Sequence, residues 1–512
     1  VNITGVESLA DLHLPCFVIQ DGERIIINHQ GCEDASKVIA YVPPLLPEQL
    51  GDADFKAFYG INNAYMAGAM ANGIASEQLV IEMGRNKMLA AFGAGGLALD
   101  DVERAIQKIQ QALPNGPYVF NFIHNPTEEA IERGTIDLYL KYGVNIIETA
   151  AFFNLTPSLV YYRAHGLSSD AQGNVQIANK IIAKVSRREV ASVFMRPAPE
   201  KILQQLVAQG LISAEQAKLA AHVPMADDIT VEADSGGHTD NRPLTVLLPS
   251  MIALRDGIQT QQQYPTLIRV GAGGGIGTPE AALAAFMMGA AYIVTGSINQ
   301  ACQEANASEH TKKLLAEAGM ADVVMAPASD MFERGIELQV LKKGTMFPMR
   351  AKKLYELYSR YNSIDEIPAI ERDRLEKLFF KDSLDNIWLQ TVEFFQQRDA
   401  DVIRRAESNP KKRMALVFRW YLGLSSRWSN AGVQGREFDY QIWCGPSMGA
   451  FNDWVRSTYL NNYKNRKVAD VAQQLLVGAA YQQRIQTLIM QGIAIPFERH
   501  RYLPSEPLIK SG

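Results

Sequence analysis

From about residue 59 onward, short apolar runs alternate with longer amphipathic stretches. This is the pattern of strands buried on both faces and of the helices that cover them. The apolar runs fall at residues 64–67, 88–92, 118–123, 145–149, 181–185, 229–233, 267–270 and 292–295. Eight is the number of strands that closes a parallel barrel. Helical spacing fills the intervals at 76–86, 100–113, 126–142, 199–210 and 249–259, with an extra helix at 212–221. Ahead of this series lie two β-like runs, 16–20 and 24–28, about the Asp21-Gly22 turn, and then the Pro43-Pro44 breaker. After about residue 330 the pattern becomes long, charged, aromatic helices at 350–362, 372–380, 383–397 and 468–492, and all five tryptophans lie there: Trp388, Trp420, Trp428, Trp443 and Trp454. The expected architecture is of the α/β class: a small N-terminal β cap (1–55), a (β/α)8 TIM barrel (56–330) and a helical C-terminal domain (331–512). An open, doubly wound sheet is the competing arrangement.

The stretch 267–305 carries the clearest chemistry. Leu267 to Val270 opens into Gly271, Gly273, Gly274, Gly275 and Gly277, and a helix follows with Thr278 as N-cap, then Pro279 and Glu280. The next strand ends in Thr295-Gly296-Ser297. Glycine turns at the carboxyl ends of consecutive parallel strands let backbone N–H groups approach a phosphate closely. In a barrel these are the loops after the last two strands, a recurrent phosphate site. One such turn alone is often only a tight connection, and it is the pair that carries the reading.

The other carboxyl ends supply polar candidates. Small residues from Ala67 through Gly68, Ala69 and Met70 leave room for a flat ring, the third strand carries Asn121 and then His124-Asn125, and the fourth carries Glu148 and Thr149. Asn121 and Glu148 have the alternative of closing hydrogen bonds inside the barrel. Lys184 is isolated among Ile181, Ile182, Ala183 and Val185, where an ammonium is costly to bury without an anion or electron-rich ligand. The sixth strand leads to Glu232-Ala233-Asp234-Ser235-Gly236-Gly237-His238-Thr239-Asp240, and His238, next to two glycines, is the candidate for proton transfer.

Composition changes this picture little. The 512 residues are 47% hydrophobic and 21% charged with a net charge of −5, which gives no signal for nucleic acid. The four cysteines, Cys16, Cys32, Cys302 and Cys444, form no paired motif, so no metal site is expected and a reduced cytoplasm fits. No apolar run of membrane-spanning length occurs.

The segments AYMAGAMANGIASEQLVIEMGRNKMLAAFGAGGL, EADSGGHTD and RVGAGGGIGTPEAALAAFMMGAAYIVTGSINQ resemble the FMN-dependent nitronate monooxygenase and enoyl-reductase superfamily. Within it the chain is similar to the stand-alone, trans-acting enoyl reductase subunit of polyunsaturated fatty acid and polyketide synthases, the PfaD family; FRWYLGLSSRW and DYQIWCGPSMGAFNDWV carry that likeness beyond the barrel. The resemblance implies FMN as cofactor, with NADPH or NADH as reductant and an enoyl thioester on acyl carrier protein as substrate. Ala67, Gly68, Ala69 and Met70 would run along the flavin, Asn121 and Lys184 would meet its polar edge, and Gly273, Gly274, Gly275, Gly296 and Ser297 would hold the phosphate. His238 would stand over the reactive face, although the inserted Asp234-Ser235 departs from the shorter family pattern. Lys184 would stabilise the anionic reduced flavin. A locally basic run, Arg404, Arg405, Lys411, Lys412, Arg413, Arg419, Arg427 and Arg436, is the expected docking surface for an acidic carrier. A homodimer is expected from the apolar surplus after residue 330. The alternatives are a nitronate monooxygenase and a non-catalytic flavin-binding scaffold.

Overall fold

The computed structural model describes residues 2–124, 129–396 and 400–509. Asn125, the first turn of the helix expected at 126–142 and Gln397 lie outside the described residues.

Eight parallel strands close a barrel: β1 Tyr65–Ala67, β2 Leu89–Phe92, β3 Val119–Ile123, β4 Ile146–Ala150, β5 Lys180–Val185, β6 Asp228–Glu232, β7 Arg269–Gly273 and β8 Ile293–Thr295. Closure comes from β8 pairing with β1, Val294 opposite Met66 and Thr295 opposite Ala67. The result is the uninterrupted ring of a TIM barrel, and it excludes the open sheet. Strands such as LAAF of β2 and IVT of β8 are buried at every position, which is why they read as continuous apolar runs.

β7 runs three residues further than expected, because Gly271 to Gly273 still pair with Thr230 to Glu232 of β6. Gly271 is a packing glycine: a Cβ there would stand 2.4 Å from the ring of buried Tyr292, whose hydroxyl is 2.8 Å from Thr230 Oγ1. The free glycine loop therefore begins at Gly274.

Several short helices have no counterpart in the periodicity, among them Pro157–His165 and Arg188–Phe194. Pro157–His165 is buried nearly all round, so it has no polar stripe to reveal it. The helix expected to start at Pro249 starts at Leu244, after Pro243, and Pro249 lies inside it. That proline removes one N–H from the ladder without ending the helix.

The chain forms two compact units: one of the stretch up to Asp234, Asp240–Ala305 and everything from Ala450 on, the other of Ser235–Thr239 and Asn306–Gly449. These cuts differ from the boundaries after 55 and after 330 that the sequence pattern suggests. The first unit holds the barrel, the N-terminal cap and the helix Val468–Met490. The cap is a four-stranded sheet of Asn2–Thr4, Cys16–Asp21, Arg24–Asn28 and Val38–Val42, in the order first, third, second, fourth. Arg484 on the helix, fully buried, donates to the carbonyls of Asp11 (2.6 Å) and Leu14 (2.7 Å), fastening the cap. Gly478 on the same helix lets it approach Pro279, which a Cβ would strike.

The second unit contains the helices Phe347–Arg360, Ala369–Arg374, Leu384–Gln396, Ala400–Glu407 and Pro410–Ala431, and an antiparallel pair, Val323–Pro327 with Glu337–Leu341. Its core is aromatic, with Phe332, Phe347, Phe380, Phe418 and Tyr421 buried and Trp388, Trp420, Trp428 and Trp443 packed against them. Trp454 belongs to the other unit, its indole N–H donating to the Tyr502 carbonyl at 2.8 Å. No helix among the described residues is long and apolar enough to cross a membrane.

Candidate active site

Neighbouring strands bring three charged side chains together at the carboxyl end of the barrel. Lys184 of β5 places Nζ 3.5 Å from Oε1 of Glu232, the last residue of β6. Glu148 of β4 is fully buried; its Oε2 accepts a hydrogen bond from the Ala69 backbone N–H at 3.1 Å. Asn121 of β3 stands in register with Glu148 and donates Nδ2–H to the Glu148 carbonyl at 3.2 Å. Asn121 Oδ1, Glu148 Oε1 and Thr149 Oγ1 are buried with no partner among the described residues. Each such atom costs about 1–3 kcal/mol unless something meets it.

Burial pushes the Glu148 carboxyl above its ordinary value, against the opposing pull of Lys184 and the Ala69 N–H. Burial also works against the Lys184 ammonium, but Glu232 and Glu148 overcome it and hold the group charged, above its ordinary value. The barrel mouth thus keeps a fixed positive charge beside unsatisfied polar atoms, a setting for an electron-rich or anionic ligand edge.

The glycines divide by function. Gly68 donates its N–H to the Thr295 carbonyl at 2.9 Å, and a Cβ on it would press Val294 Cγ1 at 2.9 Å, so Ala67, Gly68, Ala69 and Met70 form a tight ledge after β1. That ledge rests on the loop after β2: Asn72 N–H donates to Gly95 (2.7 Å), Gly73 N–H to Gly93 (2.9 Å), and a Cβ on Gly93 would collide with the Met70 carbonyl. After β7, Gly273 is a strand residue; Gly274, at φ +84°, would bring a Cβ to 2.7 Å from the Ala233 carbonyl carbon. A Cβ on Gly275 or on Gly296 would stand in open space. Thr278 caps the following helix as expected, its side chain accepting from the Ala281 N–H at 3.3 Å, and Ser297 follows Gly296 at the end of β8.

His238 belongs to the second compact unit, with its segment Ser235–Thr239. There Gly237 and Gln339 exchange backbone hydrogen bonds (2.9 and 2.7 Å), and Gln339 Nε2 donates to the Ser235 carbonyl (2.7 Å). A Cβ on Gly236 would sit 2.7 Å from the Cys444 nitrogen, so this glycine serves close backbone approach. His238 Nε2 lies 3.2 Å from Oδ1 of Asp330, a partner that no motif announces. Burial opposes the Asp330 charge, but the hydrogen bond from His238 prevails and keeps the carboxyl below its usual value. Asp240 is an anchor: Arg187 donates to it from Nε (3.0 Å) and Nη2 (2.9 Å) and Ser186 from Oγ (2.6 Å), and the Arg187 bonds hold it ionised. His124 is held by buried Glu132, Nδ1 to Oε2 at 2.8 Å, and stacks on Phe152.

The basic run at 404–436 is largely occupied within its own unit. Lys411 bonds the carbonyls of Tyr358 and Tyr361, Arg413 lies over Trp388 (4.8 Å), Arg419 pairs with Glu333 (3.6 Å), and Arg436 pairs with Asp439 (3.2 Å). Arg404 pairs with Asp401. Lys411, Arg413, Arg419 and Arg436 thus tie parts of this unit together, while Arg404, Arg405 and Arg427 stay exposed.

A family model described as nitronate monooxygenase matches residues 55–368, and one described as the inserted helical domain of [acyl-carrier-protein] S-malonyltransferase matches 361–440. The chain is 49% identical over 496 residues to a polyunsaturated fatty acid synthase subunit from Thraustochytrium sp., covering 95% of this chain and 33% of that protein. It is 48% identical over 434 residues to the polyketide biosynthesis protein PksE of Bacillus subtilis, covering 85% and 56%. The chain thus spans between a third and just over half the length of these curated relatives. Among solved structures, the enoyl reductase domain of MlnA from the macrolactin biosynthesis cluster of Bacillus amyloliquefaciens aligns with a TM-score of 0.83 at 40% identity, over 86% of this chain and 99% of that one. FabK from Thermotoga maritima, at a TM-score of 0.51 and 17% identity over 85% of this chain and 98% of that one, shares the fold. With the barrel, its mouth and these matches together, the chain belongs to the nitronate monooxygenase family, in its PfaD-like enoyl-reductase branch.

Proposed function

We propose that this chain is an NAD(P)H- and FMN-dependent enoyl reductase, acting in trans on 2-enoyl thioesters presented by acyl carrier protein during polyunsaturated fatty acid or polyketide synthesis. The observation that carries the reading is Lys184, held charged between Glu232 and buried Glu148, beside the unpartnered Asn121 Oδ1, in a chain 40% identical to an enoyl reductase domain.

The residues suit FMN. Open space at Gly275 and Gly296, flanked by Gly273, Gly274 and Ser297, gives a phosphate a place among backbone N–H groups. The ledge of Ala67, Gly68, Ala69 and Met70 offers a flat backbone surface for the ring, and Asn121 and Lys184 have the donors and the acceptor for its polar edge. When bound, FMN would supply hydride transfer from the nicotinamide to the β-carbon of the thioester. The chain's share is position and charge. Lys184 opposes negative charge that builds at the ring edge. The Glu148 carboxylate orients the ledge through the Ala69 N–H. His238, by its resemblance, gives the α-carbon its proton, with Asp330 fixing the imidazole through Nε2.

The test is turnover. Without oxygen, the yellow protein should oxidise NADPH beyond the one equivalent that reduces its flavin only when a crotonyl thioester is present, and failure to do so with flavin in place would remove the reductase reading. The family match at 55–368 keeps nitronate oxidation as the second reading, and consumption of oxygen with a nitronate would select it. Flavin binding with neither activity would leave a non-catalytic scaffold.

A further inference from the structure

The stretch from Lys342 to Lys353, KKGTMFPMRAKK, holds five cations and no acid in a chain whose net charge is −5. It joins the strand Glu337–Leu341 to the helix Phe347–Arg360 and turns Met346 and Met349 outward, 38% and 59% exposed, beside Leu378 at 54%. With Arg350, Lys353 and Phe379 these residues line an open groove of about 320 Å³. Large apolar side chains rimmed by charge mark interaction sites, and methionines let such a surface adapt to its partner.

The groove is built in advance. Its far wall is Leu375–Phe380, a π-helical turn, a rare form concentrated at functional sites. Arg436 Nη1 donates to the Phe379 carbonyl at 2.6 Å and to the buried Asp439 carboxylate at 3.2 Å. Arg350 also bonds Asp439 and lies over the Phe379 ring, 5.3 Å from its centroid. Thr345 Oγ1 donates to the Tyr440 carbonyl at 2.8 Å, fixing the chain just before Met346. Little ordering is left for a partner to impose.

We infer that this groove docks an acidic, helical carrier domain, whose apolar helix residues seat among Met346, Met349 and Leu378 while its carboxylates face Lys342 and Lys352. The inference rests on the carrier-bound substrate proposed above and names where the carrier sits. Charge selects the occupant: Lys342 and Lys352 are exposed and have no ion-pair partner among the described residues, and of the nearby acids Glu371 already answers Lys353 (3.2 Å) and Asp373 answers Lys377 (2.8 Å). An amphipathic helix laid in an apolar groove with basic rims is a standard recognition mode.

The experiment uses the full chain and a fluorescently labelled, phosphopantetheinylated acyl-carrier domain from a polyunsaturated fatty acid synthase, followed by anisotropy. Met349→Glu should raise the dissociation constant about tenfold or more, as for an anchor at the centre of an interface. Lys352→Glu, a rim charge on the surface, should raise it a few-fold, an effect lost in about 0.5 M salt. Turnover on crotonyl-pantetheine, which has no protein to dock, should be unchanged in both. If Met349→Glu fails to fold, Lys352→Glu and its salt dependence carry the test. Unaltered affinity in a folded variant, or no binding by the wild type, would overturn the proposal. So would Met349→Glu converting a dimer to a monomer with carrier binding intact, which would give the groove to a second copy of the chain. Carrier binding that the variants abolish, without any thioester reduction, would uphold the docking site and end the reductase reading instead.

Discussion

Lys184 and Glu232 face each other at 3.5 Å from adjacent strands, with the fully buried Glu148 as the second carboxylate in the field of the same ammonium. Removing the cation leaves Glu148 buried without a counter-charge. Lys184→Met should therefore cost roughly 3 kcal/mol of stability, as for one partner of a buried pair, while Lys184→Arg retains most of it. In the flavin-loaded protein the same change should lower the midpoint potential by about 30 mV or more, through loss of stabilisation of the reduced form. Equal potentials in Lys184→Met and wild type would remove Lys184 from the cofactor's surroundings.

Gly296 offers the cleanest probe of the phosphate cradle. Its Cβ direction is open, and its backbone at φ −128°, ψ −76° lies outside the regions a side chain prefers, so a Gly296→Ala control carries the strain common to any substitution there; Gly274, at φ +84° and against Ala233, would add a collision to its strain. Gly296→Asp should fold with the same apo melting temperature as Gly296→Ala and purify colourless where the alanine variant stays yellow, because a carboxylate occupies the anion's place. A yellow, fully loaded Gly296→Asp protein would contradict the assignment.

His238 and Asp330 are 3.2 Å apart, and the carboxylate fixes the ring through Nε2. His238→Ala should slow thioester-dependent reoxidation about 100-fold with reduction by NADPH unchanged. Asp330→Asn should act through His238 alone, shifting the pH profile of that half-reaction and having no effect in the His238→Ala background. Additive losses would make Asp330 an independent contributor.

Arg187 and Ser186 hold the Asp240 carboxyl below its ordinary value. A depressed carboxyl stabilises the fold above its unfolded value near 3.9, and that contribution is lost as the pH falls through the folded value. Asp240→Asn should therefore destabilise at neutral pH and flatten the acid limb below about pH 4, as measured by urea unfolding across pH. A parallel loss at every pH would show that the charge is not what matters.

At the amino ends of the strands, Asp228 and Arg269 form a fully buried bidentate pair (2.7 and 2.8 Å), with the Tyr59 hydroxyl donating to Asp228. Asp228→Ala should cost about 3–5 kcal/mol by stranding the guanidinium. Because this face of a barrel carries stability rather than chemistry, activity per folded molecule should be unchanged.

The barrel was legible because strands such as β2 and β8, covered on both faces, leave unbroken apolar runs. Lys184 stood out because its ammonium contrasts with Ile181, Ile182, Ala183 and Val185 around it in β5. What failed were features that only a third dimension supplies. Gly271 reads like its loop neighbours until Tyr292 is seen against it, and Pro249 reads as a helix start although its helix runs through it. The pairing of Val323–Pro327 with Glu337–Leu341 has no tight-turn signal, since a short 3₁₀ helix, Phe332–Arg334, lies between the strands. The helix Val468–Met490 has the same period as those before it, and only its buried Arg484 and Gly478 mark the barrel and cap as its partners. Glu232 and Asp330 stayed unassigned because a carboxylate announces nothing until the cation or imidazole opposite it is placed.

The most direct test is anaerobic stopped-flow on the purified yellow protein, reduced with NADPH and then mixed separately with a crotonyl thioester and with oxygen plus a nitronate. Rapid reoxidation of the flavin by the thioester is the expected result. Reoxidation by oxygen and nitronate alone would contradict the enoyl-reductase assignment and make the chain a nitronate monooxygenase in chemistry as well as in family.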